Sequence, residues 1–98
     1  MNDFEFLGQW FASQCNGDWE HTWGIRLLTV DNPGWSLYVD IEGTELEGRT
    51  TETTHVERSD SDWIHAQCDG LLFHVACGVD SLAEALHLFR VFAEGTTA

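Results

Sequence analysis

Lysine is absent from this 98-residue chain, and four arginines are its only fixed cations against seventeen aspartates and glutamates. The formal net charge of −13 repels nucleic acid and anionic membranes, so neither is an expected partner. The same field speeds the approach of a basic protein, although acidity also serves simple solubility. Cysteine is scarce. Cys15, Cys68 and Cys77 are odd in number and form no C-x-x-C pair, which excludes a disulfide framework and leaves three reduced, mostly buried thiols. Long apolar runs are missing too, so no segment reaches the roughly eighteen residues that a membrane helix needs. Met1-Asn2-Asp3-Phe4-Glu5 is acidic where a secretory signal carries positive charge ahead of an apolar core. The expected compartment is cytoplasmic.

What the chain does contain is apolar and aromatic: 43% hydrophobic residues and five tryptophans. That content supports a folded core rather than disorder. Phe4–Cys15 has helical period. With residues set about 100° apart, Phe4, Phe6, Leu7, Trp10, Phe11 and Cys15 share one arc, opposite Glu5, Gln9 and Ser13. Asn2 or Asp3 can cap its start, and Asn16-Gly17 offers a left-handed stop. Trp23–Val30 and Trp35–Ile41 read as strands around Asp31-Asn32-Pro33-Gly34, whose Pro-Gly suits the centre of a tight turn. Trp35, Leu37, Val39 and Ile41 alternate with Ser36, Tyr38 and Asp40, which gives that strand one buried face, whereas Trp23–Val30 is apolar on both parities. Glu42–Arg49 is a polar connection, and Thr50–Arg58 is a Thr-rich strand suited to a sheet edge.

Trp63–Cys68 and Leu71–Cys77 flank Asp69-Gly70, the signal for a two-residue hairpin turn. That turn pairs Cys68 with Leu71, Ala66 with Phe73, His65 with His74, and Ile64 with Val75. Ile64, Ala66, Cys68, Leu71, Phe73 and Val75 then face the core, and Trp63, His65, Gln67, Leu72 and His74 face away. Ser81-Leu82-Ala83-Glu84 reads as a capping box. Behind it Leu82, Ala85, Leu86, Leu88, Phe89, Phe92 and Ala93 fall on one helical arc. The order helix, strands, helix predicts an α+β fold. It is an antiparallel β-sheet of about five strands, with an N-terminal and a C-terminal helix packed on one face. Residues 1–98 suffice for one domain.

Two clusters carry candidate chemistry. Asp18-Trp19-Glu20-His21 brings two carboxylates and an imidazole together near the Cys15 thiol, an acid/base or metal-ligating set on paper. Adjacent residues of an extended chain point to opposite sides, so Glu20 and His21 would not converge, and a charged aromatic loop is the better account. His65 and His74 begin a metal site only if further ligands join them. A small metal-dependent enzyme or binder would therefore use Glu20, His21, His65 and His74. No G-x-S-x-G, P-loop, H-E-x-x-H or zinc-ligand spacing occurs. Trp19 and Trp63 are expected at the surface, where tryptophan serves as an interface anchor. Asp40, Glu42, Glu45, Glu47 and Glu52 form the densest acidic run.

The blocks Cys15-Asn16-Gly17-Asp18-Trp19-Glu20-His21 and Asp31-Asn32-Pro33-Gly34-Trp35 recur with Gly43-Thr44-Glu45-Leu46-Glu47, Glu57-Arg58-Ser59 and Asp62-Trp63-Ile64. In this combination the chain resembles the immunity protein 53 family of bacterial polymorphic toxin systems, from Leu7 to Phe92. The Thr50–His55 strand and the hairpin tip depart most from the family pattern. The resemblance implies a cytoplasmic, non-enzymatic antidote that needs no cofactor and no metal, and that binds and blocks a cognate toxin domain. Its interface candidates are Asp18, Trp19, Glu20, His21, Glu45, Glu47, Asp62 and Trp63.

Overall fold

The computed structural model describes residues 1–95. Helix α1 (Asp3–Gln14) leads through a 3-10 turn at Trp19–His21 into five strands: β1 (Ile25–Val30), β2 (Gly34–Asp40), β3 (Thr50–Ser59), β4 (Asp62–Asp69) and β5 (Leu72–Gly78). A second 3-10 turn at Val79–Ser81 opens helix α2 (Leu82–Glu94). The strands form one antiparallel sheet in the order β1-β2-β5-β4-β3. The expected α+β architecture is the one observed, with both helices on one face and the Thr-rich strand at an edge.

The core follows from strand parity. Leu37, Val39, Ile64, Ala66, Cys68, Phe73, Val75 and Cys77 are buried on one face of the sheet. Against them α2 sets Ala85, Leu86 and Phe89, and α1 sets Trp10. The Phe89 ring lies edge-on to Trp10 at 5.1 Å and to Phe73 at 5.3 Å, joining both helices to the sheet. Such aromatic pairs add about 0.5–1.5 kcal/mol beyond the area they bury. The α1 arc is narrower than its period suggests, because Phe4 and Cys15 are exposed. Cys68 and Cys77 are buried as expected, and burial pushes both thiols up, which makes them inert.

Helix ends and turns differ from the sequence expectation where a side chain finds a better partner. Asn2 caps α1, accepting from Glu5 N at 2.8 Å. The helix stops at Gln14, and the left-handed residue is Gly17, inside the next loop. Ser81 forms no capping box. The chain enters α2 through a 3-10 turn, so Ser81 lacks the extended backbone of a cap, and its hydroxyl donates to Asp62 Oδ1 at 2.9 Å. Gly34 is a strand residue rather than a central residue of a tight turn: Val30 pairs with Gly34, which leaves Asp31-Asn32-Pro33 as the connection. Glycine is required there by close approach, since a Cβ at Gly34 would collide with the Cys77 carbonyl. Gly34 pairs with Gly78, and the Trp63 indole covers both, as aromatic side chains often do over strand glycines.

The β4–β5 hairpin is shifted from the expected register. Cys68 pairs with Phe73, Ala66 with Val75 and Gln67 with His74, so residues 69–72 form the connection. The reason lies in Asp69, whose Oδ1 accepts from Leu71 N and Leu72 N, both at 2.9 Å. These bonds hold Asp69 itself as the turn, and they keep its carboxyl below the ordinary range. Leu71 is left exposed rather than buried in the core. Because the register moves by an even number, every other residue keeps its expected face.

Candidate partner-binding surface

The Asn16–His21 loop is organised by its own polar groups. Asn16 Oδ1 accepts from the amides of Asp18 and Trp19, at 2.9 and 3.0 Å. The Glu20 carboxylate reaches back to the amides of Asn16 and Gly17, at 2.9 and 2.8 Å. Amide hydrogen bonds, its own and then those two, hold the Glu20 carboxyl below the ordinary range. The loop thereby turns Trp19 inward. The indole is buried, 6.2 Å from Trp10 and 6.0 Å from Phe11, and its Nε1 donates to the Glu42 carbonyl at 2.8 Å. Trp19 is thus a core residue, contrary to the surface position expected from the sequence.

That indole joins the 16–21 loop to the 41–49 loop. Leu46 is fully buried and anchors the second loop, while Glu42, Glu45 and Glu47 surround it. Glu45 accepts from Trp10 Nε1 at 3.0 Å and from Gln14 Nε2 at 2.9 Å, and Glu47 accepts from Gly43 N at 2.9 Å. Asp18, Glu20, Glu42, Glu45 and Glu47 therefore gather at one end of the molecule. The Asp69 turn lies there too, bound through Gly48 N to Gly70 O at 2.8 Å. Arg49 Nη1 donates to the Phe92 carbonyl at the close of α2, at 2.8 Å.

Asp62 and Trp63 lie at the opposite end. Asp62 accepts from Arg58 Nε at 3.0 Å, and that bond holds its carboxyl below the ordinary range. Arg58 also pairs with Glu84, and Arg90 with Asp3. Arg26, over the Tyr38 ring at 5.0 Å, is the one arginine without an ion pair or hydrogen bond among the described residues. The eight interface candidates thus divide into an acidic end (Asp18, Glu20, His21, Glu45, Glu47), the buried Trp19, and the Asp62–Trp63 pair.

The sheet face away from the helices is uncovered. His65 and His74 both stand on it, but at diagonal positions: His74 pairs with Gln67 and stacks on Tyr38 at 4.3 Å. His65 instead faces His55 of β3 across the ladder. Burial pushes His74 down, and its Nε2 lacks a partner among the described residues. Glu20, His21, His65 and His74 do not converge. Glu20 is consumed by its own loop, and His21 lies in the 3-10 turn ahead of β1, whereas His65 stands mid-strand on the outer face of the sheet. The hollow between α1 and β1, about 330 Å³, is lined by Phe4, Leu7, Phe11, Trp23 and Ile25, with no titratable side chain.

The family model for immunity protein 53 matches residues 4–94. The chain belongs to that family. Membership implies toxin neutralisation, and immunity proteins of this kind are inhibitors rather than enzymes. No match was found among curated proteins or among solved structures. Among the described residues no helix is long and apolar enough to cross a membrane. In this chain the Gly17-Asp18-Trp19-Glu20-His21 block is part of a self-bonded loop that buries its tryptophan and lies against the 41–49 loop. A sequence signal for this was present in Asn16 and Glu20, spaced to bond the amides between them.

Proposed function

We propose that this chain acts as one cytoplasmic domain that neutralises a cognate toxin with a basic surface, binding that surface through its acidic end and blocking access to it. The observation that carries this reading is the alignment of Asp18, Glu20, Glu42, Glu45 and Glu47 on two loops that Trp19 holds together. A cationic cleft is what a nuclease needs to bind its substrate, which makes a nuclease the favoured toxin. Inhibition is then steric and electrostatic, with no cofactor and no turnover.

Asp18 and Glu42 are the informative probes. Their carboxylates make no hydrogen bond within the described chain, whereas Glu20, Glu45 and Glu47 also hold the loops. Electrostatic steering acts on the association rate and weakens as the Debye length falls from about 10 Å at 0.1 M salt to about 3 Å at 1 M. The association rate with the toxin encoded beside this chain is expected to fall about ten-fold or more over that range. Asp18→Lys combined with Glu42→Lys should slow association in the same direction and leave dissociation nearly unchanged. Stopped-flow kinetics at several salt concentrations measure both. A salt-indifferent association rate would move the interface to an apolar surface.

A further inference from the structure

The outer face of the β3–β4 pair carries a donor set away from the acidic loops. His55 and His65 are directly opposed across the ladder, with ring centroids 3.9 Å apart. Glu57 follows His55 by two residues and so stands on the same face. Its Oε1 lies 3.0 Å from His55 Nε2 and 3.7 Å from His65 Nε2. One donor atom from each of the three residues lies within 4.8 Å of the other two.

We propose that His55, Glu57 and His65 form a binding site for a zinc-class divalent cation on the uncovered face of the sheet. Two imidazoles and one carboxylate are a known three-residue ligand set for zinc, whereas calcium and magnesium favour oxygen ligands alone. Metal–ligand distances of about 2.0–2.2 Å place tetrahedral donors roughly 3.3 Å apart. The observed separations reach that spacing by small rotations of exposed side chains. The Trp63 ring, edge-on to His65 at 5.4 Å, limits the orientations of that imidazole. Asp60 lines the adjoining hollow with Glu57, Trp63 and His65, and the −13 field concentrates cations around the whole surface. Solvent faces the fourth coordination position.

The site has a structural consequence. Register shifts interrupt the β3 ladder between Thr51 and Thr54 and again between Glu57 and Ser59. A cation held by residues 55, 57 and 65 ties this edge strand to β4 beside the second shift. That adds stability to the folded state in proportion to its binding there.

Calorimetric titration of zinc into the untagged chain, in a buffer that does not bind zinc, is the test. One zinc per chain is expected, with unchanged binding in a hundred-fold excess of magnesium. His55→Ala and His65→Ala should each weaken zinc binding by about ten-fold or more, while His74→Ala and His21→Ala leave it intact. Zinc should raise the melting temperature of the wild type and not of the double variant His55→Ala/His65→Ala. All three ligands are exposed, so the far-UV circular dichroism of the variants should match the wild type. Absence of zinc binding would overturn the proposal, and so would zinc binding that survives the double variant. Neither result bears on toxin binding, which is measured separately.

Discussion

Trp19→Ala is expected to lower stability by about 3–5 kcal/mol, the range for truncating a buried aromatic side chain. The loss has three sources. The indole leaves a cavity beside Trp10 and Phe11, the Glu42 carbonyl loses its donor, and two loops lose the side chain that joins them. Urea denaturation should show a lower midpoint with an unchanged slope. Toxin association should also slow, because the carboxylates of the two loops would no longer be held at one end. A variant within about 0.5 kcal/mol of wild-type stability, but with faster toxin dissociation, would instead place Trp19 in the interface.

Phe89→Ala should cost as much, again about 3–5 kcal/mol. Phe89 has no exposed surface, and its ring meets Trp10 and Phe73 edge-on and Phe6 and Phe92 at an angle. Removing it leaves a cavity where both helices meet the sheet. Phe4, although on the same helical arc as Trp10, is 69% exposed, so Phe4→Ala should change stability by less than about 0.5 kcal/mol. Equal losses in the two variants would mean that α1 packs with a wider face than the structure shows. Toxin affinity, measured well below the melting temperature of the Phe89 variant, should stay close to wild type, because this residue serves only the fold.

The strand and helix periods made much of this architecture legible. Alternation along Trp35–Ile41 and Trp63–Cys68 placed the core on one face, and the α2 arc placed Phe89. What escaped was set by single polar groups. Asp69 captures two amides and lengthens the hairpin, which moves His74 away from His65 and leaves His55 as the true neighbour of His65. Periodicity cannot register such a side-chain bond, although the shift preserved every face but that of Leu71. Gly34 was read as turn chemistry, whereas the demand on it comes from a carbonyl of a distant strand.

The candidate site was legible in composition and only partly in position. The run from Asp40 to Glu47 marked the acidic loop, but the buried Leu46 within it, surrounded by carboxylates, gave no periodic signal. Trp19, flanked by Asp18 and Glu20, looked solvent-exposed from its neighbours. Its burial depends on Asn16 and Glu20 bonding the amides of residues 16–19, a spacing present in the sequence whose consequence for Trp19 only the folded loop displays. Asp62 and Trp63 were interface candidates from the family pattern, Trp63 also from its outward strand position, and the sheet places them at the end opposite the acidic loops.

Titration of toxin activity against increasing amounts of this chain tests the central claim most directly. A blocking partner should lower activity in proportion to the amount added and abolish it at one chain per toxin molecule, at concentrations well above the dissociation constant. Sub-stoichiometric chain that inactivates an excess of toxin would show turnover, and would contradict inhibition by binding.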